Sequence, residues 1–202
     1  MGDLFPERLE TDRLELDALT AETIDPLTLY EIASHHEPAI DEITRYLTWN
    51  PHQTPKDSLE FIETVTADRE DGEGAAYLIR PAEGEAGAGE IAGGAALDVD
   101  WERRRGTLGV WLRKRFWGRS YSGERAAALF ELAFERLDLE VVGVTCHVDN
   151  EQSRRAIEKY VEAHGGTYEG LFRNELVYGD EPADVRRYSV TREEYEAATD
   201  GE

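Results

Sequence analysis

The sequence predicts one mixed α/β domain (α+β in layout) over residues 1–202, and three neighbouring stretches predict it. Ala126, Leu129, Phe130, Ala133, Phe134 and Leu137 recur at steps of three and four, the apolar stripe of a helix. Val141 to Cys146, VVGVTC, follows as a continuous apolar strand of the kind buried on both faces. Gly106 to Arg113 precedes the helix as another strand, so strand, glycine turn, helix and strand follow one another. At 202 residues the chain can bury a sizeable core.

The remaining elements read as follows. Leu14 to Asp17 is a first short strand. Thr20 to Ser34 and Pro38 to Leu47 are helices, and Thr48 to Pro55 is a loop rich in proline and aromatic residues. Ser58 opens a helix with Leu59, Ile62 and Val65 at helical spacing. Asp71 to Gly74 is a turn. Ala76 to Arg80 and Glu90 to Val99 are strands joined by PAEGEAGAG, a flexible hairpin loop. Asp149 is expected to cap the helix after VVGVTC, with Gln152 three residues on as in a capping box. That helix turns Ser153, Ala156, Ile157 and Tyr160 inward and stops at Gly165–Gly166. Thr167 to Phe172 and Val185 to Val190 are late strands. No repeat and no internal linker appears.

Charge is the unusual property. The chain carries 44 acids against 22 basic residues, a formal net charge of −22, and only Lys56, Lys114 and Lys159 are lysines. Dispersed acidity with ordinary apolar patterning resembles proteins of a salt-saturated cytoplasm and points to a halophilic source, an archaeon by expectation. At 1 M salt the Debye length falls to about 3 Å and screens the self-repulsion. Cys146 stands alone, so no intrachain disulfide forms, and its apolar setting reads as core. The start, MGDLFPERLETDRLEL, lacks the pattern of a signal peptide. No apolar run approaches 18 residues, so no membrane span is expected. The expectation is a cytoplasmic protein without a membrane partner. His35 and His36 are adjacent and point apart on a helix, and His52, His147 and His164 show no ligand spacing, so no metal is expected.

Against that acidity, Arg103, Arg104, Arg105, Arg113, Lys114, Arg115, Arg119 and Arg125 fall in one window whose single acid is Glu124. A strand there runs through Arg115-Phe-Trp-Gly-Arg-Ser120 into a helix. The first turn of a helix leaves N–H groups without intrahelical partners, and the macrodipole adds roughly half a positive charge. Gly118 lets a ligand approach the backbone, and Arg115 and Arg119 add positive charge. A pyrophosphate would fit. The alternative is nucleic acid, with Trp111, Phe116 and Trp117 stacking on bases. The acidic background disfavours a long polyanion, so no nucleic-acid partner is expected.

Arg115-x-x-Gly118-x-Ser120 resembles the (Gln/Arg)-x-x-Gly-x-(Gly/Ala) signature of GCN5-related N-acetyltransferases, the GNAT superfamily. Trp117-Gly-Arg-Ser-Tyr121 with Glu124 is similar to the "WGKGYATEA" form of the ribosomal-protein N-terminal acetyltransferase branch, the RimJ/RimL type. Glu10-Thr-Asp-Arg-Leu14 resembles that branch's opening "TERL" strand. Leu47-Thr-Trp-Asn-Pro51 with Ser58-x-x-x-Phe-Ile62 resembles its first loop and helix. Val148-Asp-Asn150-x-x-Ser153 resembles its "N-x-x-S" motif. Tyr168-Glu-Gly170-x-x-Arg173 and Tyr188-Ser-Val-Thr-x-Glu-Glu-Tyr195 resemble its C-terminal strands. Three positions depart: Ser120 stands for a glycine or alanine, Val110 for the usual tyrosine of the fourth strand, and Thr107 for its usual glutamate, which removes that glutamate as a base.

The resemblance implies a GNAT fold: a central, mostly antiparallel sheet splayed at its fourth and fifth strands and flanked by helices. It implies acetyl-CoA as donor and a primary amine as acceptor, the amine attacking the thioester directly without an acyl-enzyme. By family analogy the acceptor is a protein N-terminal α-amine. A small-molecule amine is the runner-up, a non-catalytic acyl-CoA-binding module is the reading outside the class, and a homodimer stays open. The donor would be held by Val110, Trp111, Leu112, Arg115, Phe116, Trp117, Gly118, Arg119, Ser120, Tyr121, Ser122 and Asn150. An N–H near Val110 or Trp111 would meet the thioester oxygen. Asn150 and Ser153 would serve the leaving thiolate. The residues leave the base open among Asp98, Asp100, Glu102 and Glu169. Trp49 reads equally as acceptor-cleft lining or as a loop anchor.

Overall fold

A computed structural model describes residues 3–179 and 181–199. Eight strands form one sheet: β1 (Arg8–Glu10), β2 (Leu14–Ala18), β3 (Gly74–Pro81), β4 (Gly93–Asp100), β5 (Arg105–Leu112), β6 (Val141–His147), β7 (Thr167–Tyr178) and β8 (Glu181–Thr191). Their spatial order is β1-β2-β3-β4-β5-β6-β8-β7. Every neighbouring pair is antiparallel except β5 and β6. The helices are α1 (Pro26–Ala33), α2 (Ile40–Thr44), α3 (Pro55–Asp71), α4 (Tyr121–Glu131), α5 (Glu151–Ala163) and α6 (Arg192–Thr199). None of the described helices is long and apolar enough to cross a membrane.

Local chemistry sets the boundaries and corrects several expectations. The helix expected over 20–34 begins only at Pro26, because the Asp25 carboxylate accepts from the Leu27 and Thr28 amides, both at 3.0 Å. Residues 20–24 form a turn instead, pinned by the Thr23 hydroxyl donating to the Ala18 carbonyl at 2.6 Å. The second helix shrinks from 38–47 to 40–44. The third starts at Pro55 rather than Ser58, since the Asp57 carboxylate accepts from the Gln53 and Thr54 amides at 2.7 and 2.9 Å. Asn150, not Asp149, caps α5, its side chain accepting from the Ser153 amide at 3.0 Å. The strand β1 lies ahead of the first expected strand. The last expected strand segment ends at Thr191, where α6 begins.

The sheet buries both faces. On one, the α4 stripe (Ala126, Leu129, Phe130, Ala133, Phe134, Leu137) packs with Leu14, Leu16, Leu97, Leu108 and Val144, and every one of these is buried. Residues Leu132–Arg136 form a π turn that extends α4, closed by the Leu137 amide donating to the Leu132 carbonyl at 3.0 Å. On the other face, α1 and α3 bring Leu29, Ile32 and Ile62 onto Leu78 and Ile91, with Trp49 and Trp111 half-buried beside them.

Arg125 departs from this pattern. The sequence counted it in the basic island, but it is fully buried on the inner side of α4. None of its guanidinium nitrogens has a hydrogen-bond partner among the described residues. The guanidinium lies 5.7 Å from the Tyr160 ring, whose hydroxyl is likewise without a hydrogen-bond partner among the described residues. Burial pushes the Arg125 pKa down and the Tyr160 pKa up. A buried charge without a counter-charge destabilises by several kcal/mol, and apolar replacement of buried ionic groups is often neutral or stabilising by about 1–4 kcal/mol. Arg125→Met should therefore raise the melting temperature by about 2–4 °C per kcal/mol recovered. Calorimetry checks this, and a fall would mean that the guanidinium has a partner in solution.

Candidate functional site

The site follows from the one parallel pair. β5 and β6 are in register only from Arg105–Val141 to Leu108–Val144. Beyond that each strand follows its antiparallel neighbour: β5 stays on β4 to Leu112, and β6 stays on β8 to His147. The two therefore part, leaving a gap between residues 109–112 and 145–147. Because the strands are parallel, their C-terminal ends lie at the same side, and the helices that follow, α4 and α5, both start there. Two positive helix ends flank one opening, as at the carboxyl ends of parallel strands generally.

The exposed edge of β5 can be read from the ladder. The Val99 amide donates to the Glu73 carbonyl on the β3 side, so Asp98 and its partner Thr107 face each other with their backbone groups. Alternation then turns Thr107, Gly109 and Trp111 toward β4, and Val110 and Leu112 toward the gap. The Trp111 carbonyl accordingly lies against Gly93. This corrects the expectation for Trp111: its backbone is not available to a ligand in the gap, whereas the Val110 amide is. The Leu112 carbonyl already accepts from the Trp117 indole at 2.7 Å.

After β5, Lys114–Phe116 make one 3-10 turn and the chain curls through Gly118 (φ +76°) and Ser120 (φ +65°) into α4. Two left-handed residues one apart give a concave backbone that suits anions. The amides of Gly118, Arg119, Ser120, Tyr121 and Ser122 donate to no other group among the described residues. A Cβ built on Gly118 meets nothing within 4 Å, so the space in front of the loop is open.

The side chains around this loop differ from expectation. Phe116 and Tyr121 are buried, so they pack rather than line the opening. The basic island is largely neutralised by acids from elsewhere: Arg113 with Glu37 at 2.6 Å, Lys114 with Glu42 at 2.5 Å, Arg115 with Glu90, Arg103 with Asp100, and Arg104 with Asp138 and Glu140. Arg119 donates to the Ala86 and Arg115 carbonyls at 2.6 and 3.1 Å. The donors that this loop leaves free for an anion are therefore its amides more than its guanidinium groups.

Sequence reasoning missed the clamp beneath the loop. Glu124, in the first turn of α4, accepts from the Thr11 hydroxyl (2.6 Å), the Arg13 amide (2.8 Å) and the Arg13 guanidinium (2.8 Å). Arg13 also donates to the Arg119 carbonyl at 3.1 Å. The Thr-Asp-Arg segment before β2 thus fixes the α4 end. Its signal was present as two separate motifs, but nothing in the sequence joined them.

Across the gap, the Asn150 cap ties its side-chain oxygen to the Ser153 amide, and the Ser153 hydroxyl has no partner among the described residues. Ser153 is half-buried at the first turn of α5. At the end of β6, His147 lies between Tyr46, tilted against it at 4.8 Å, and Tyr178, edge to face at 4.9 Å.

A cleft of about 340 Å3 opens on the α1–α3 face of the sheet and reaches Val110. Its floor is Gly74 and Ala76 on β3, Gly94 and Ala96 on β4, and Gly109 on β5, small residues that share one face across three strands. Trp49, His52, Phe61 and Trp111 line its walls. Trp49 and Trp111 meet edge to face at 5.6 Å, so Trp49 lies in the cleft wall. A Cβ on Gly94 would sit 2.6 Å from Trp111 Nε1, so the indole rests on that glycine. His52 shares a 2.7 Å hydrogen bond with the buried Ser58 hydroxyl, and burial pushes its pKa below the usual histidine value. Asp68 and Asp98 also line the cleft. Of the other expected bases, Asp100 pairs with Arg103, Glu102 is exposed outside the cleft, and Glu169 accepts from Ser189. A second depression, about 430 Å3 between α5 and the β7–β8 ribbon, contains charged groups that pair among themselves.

Comparison with known proteins gives consistent findings. A family model described as "Acetyltransferase (GNAT) domain" matches residues 13–160. The Bacillus subtilis (strain 168) protein YdaF, whose name classes it provisionally as a ribosomal N-acetyltransferase, is 30% identical over 109 residues. That match spans 54% of this chain and 57% of the relative, so only about half of the relative's length is covered. An acetyltransferase structure from T. thermophilus is 26% identical with a TM-score of 0.73, covering 98% of this chain and 95% of that one. The microcin C7 self-immunity acetyltransferase MccE, solved with acetyl-CoA and AMP, is similar in fold: 20% identity, TM-score 0.78, and 94% and 98% coverage. So is RimL, the ribosomal L7/L12 α-N-protein acetyltransferase solved with coenzyme A: 19% identity, TM-score 0.75, and 92% and 98% coverage.

The close seat of Trp111 is testable. Gly94→Val should push the indole off the floor, shifting tryptophan emission to longer wavelength while far-UV circular dichroism stays native. Unchanged emission would show that the indole does not rest on this glycine.

Proposed function

The chain belongs to the GNAT acetyltransferase family, and on that premise we propose that it transfers the acetyl group of acetyl-CoA directly to a primary amine, the N-terminal α-amine of a protein. One observation carries the reading: a parallel strand pair parts after four residues, and an unpaired run of amides at a helix start faces the opening. A thioester donor needs both features, an edge to lie along and a seat for its phosphates.

The residues divide the work. The Gly118–Ser122 amides hold the diphosphate, and the curl at Gly118 and Ser120 keeps them aimed outward. The Val110 amide faces the position where the thioester oxygen gains charge; one such donor contributes about 10²–10³ in rate. The Asn150 cap holds the first turn of α5, and the Ser153 hydroxyl supplies a proton to the departing sulfur. Cys146 takes no part: it is buried, and burial pushes its thiol up to about 11. The aromatic cleft receives the acceptor, so Trp49 touches it.

The acceptor assignment draws on YdaF and RimL, whose names concern ribosomal proteins. The single domain over residues 1–202, the cytoplasmic setting and the high-salt habitat belong to the same reading. The net charge of −22 suits a protein that works in molar salt.

Acetyl-CoA and peptides with free Ala, Ser or Thr ends, mixed in molar KCl, should release free thiol. No release with any amine would leave an acyl-CoA-binding module. Gly118→Glu places a side chain and a negative charge at a left-handed position in the seat. It should weaken CoA binding by tenfold or more while the melting temperature falls by only a few degrees; unchanged binding would remove the loop from the site. Ser153→Ala should lower kcat by about ten- to a hundredfold with CoA affinity kept within twofold, and equal turnover would remove Ser153 from the mechanism.

A further inference from the structure

The acceptor side of this reaction lacks an assigned base, and the cleft contains one. Its lining includes two carboxylates, Asp68 from α3 and Asp98 from β4. Asp98 stands directly across the β4–β5 ladder from Thr107, on the same face of the sheet. A strand spacing is about 5 Å, so Asp98 brings a carboxylate beside position 107 from the neighbouring strand. Gly74, its partner on β3, leaves the carboxylate room: a Cβ there would sit 3.3 Å from Asp98 Oδ1. From Asp98 the same cavity runs over Ala96 and Gly109 to Val110. No floor side chain larger than a methyl group interrupts that path, so water can bridge it.

Resting on the transferase reading, we propose that Asp98, with Asp68 beside it, receives the acceptor's ammonium and takes its proton through water, and that the acceptor is an α-amine bearing an apolar side chain, which seats against Leu29, Trp49 and Phe61. The protons balance. The ammonium gives one proton to the Asp98 carboxylate, which passes it to solvent. The freed nitrogen pair forms the N–C bond at the thioester carbonyl carbon. The C–S bond breaks with its electron pair on sulfur, and the second nitrogen proton reaches that sulfur through Ser153. The products are amide, thiol and one released proton.

Loss of solvation at the cleft wall, and then the Asp68 charge, push the Asp98 carboxyl above its usual range and make it a stronger base than a surface aspartate. Asp98 is nonetheless exposed at the cleft mouth, where a ligand can reach it. An α-ammonium, with a pKa near about 8, yields its proton to such a base more readily than a lysine ammonium near about 10.4. The other charged or titratable groups around Asp98 are few. Tyr77 on β3 donates to the Pro6 carbonyl at 3.2 Å. Asp100 on β4 is held by Arg103, Arg105 on β5 lies against Gly143, and His52 belongs to the loop before α3.

The test compares wild type, Asp98→Asn, Asp68→Asn and His52→Gln by thiol release from acetyl-CoA, using peptides that begin with Leu, Phe or Gly and an N-blocked peptide with an internal lysine. Asp98→Asn should lower kcat/KM about a hundredfold or more, keep the CoA dissociation constant within twofold, and remove the acidic limb of the kcat–pH profile. Asp68→Asn removes the neighbouring negative charge, so the limb should move to lower pH. His52→Gln should retain the limb. Leu and Phe peptides should exceed the Gly peptide about tenfold in kcat/KM, and the blocked peptide should be inert. The proposal is overturned if Asp98→Asn turns over within threefold of wild type with its limb intact, if His52→Gln loses the limb instead, or if the Gly or blocked peptide is preferred. Wild-type turnover with an indifferent Asp98→Asn removes this inference alone. A wild type that binds CoA but acetylates no amine removes the transferase reading and this inference with it.

Discussion

The parting of β5 and β6 is the constraint from which the rest of the site follows. Two parallel strands pair over four residues and are then drawn apart by antiparallel neighbours that each keeps to its end. Sheet twist makes this divergence inexpensive, since each half continues its own rotation. Parallel direction also forces both following helices to begin at the open end. The unpaired amides at the start of α4 and the polar start of α5 therefore face each other without any loop having to be long.

Two kinds of vacancy do complementary work around that opening. In the gap the vacancy is one of hydrogen bonds: the Val110 amide and the Gly118–Ser122 amides have no partner among the described residues. In the cleft it is one of volume, since glycine and alanine on three adjacent strands lower the floor. The two meet at Val110, so one backbone amide stands at the boundary between gap and cleft. The Arg113–Glu37 pair fastens the segment between α1 and α2 to the end of β5, which keeps the aromatic wall over that boundary. Glu37 is almost fully buried, so this pair is screened little by salt.

The strong acidity has a structural side. Carboxylates from five separate segments reach the basic island and cancel most of it. What remains for an anion is the fixed geometry of backbone amides, which salt does not screen at contact distance. Under the proposed function, a seat made of amides suits a protein carrying so much negative charge, because amides can hold a compact diphosphate without creating a positive surface for long polyanions. Arg125 shows the opposite case, a charge buried where no acid follows it.

The sequence by itself determined the class of fold, the α4 stripe, the buried strand β6, and the succession of strand, turn and helix from β5 to α4. Each is written in consecutive residues, because apolar periodicity and a glycine turn act locally. Helix starts were less legible: Asp25, Thr54 with Asp57, and Asn150 win as caps through hydrogen bonds that alternative residues nearby could also have made. Only the tertiary structure decided where charges and bases go. Arg115 reads as a ligand for phosphate until Glu90 is seen beside it, and Arg125 reads as part of the basic island until its helix face is known. The Glu124 clamp joins residues more than a hundred positions apart. Asp98 is one acid among 44 until the ladder sets it opposite Thr107 at the mouth of the cleft. Local patterning fixes which segments form, because backbone and solvent respond to neighbours in the chain. Pairing of charges and shaping of cavities depend on neighbours in space, which the chain order does not name.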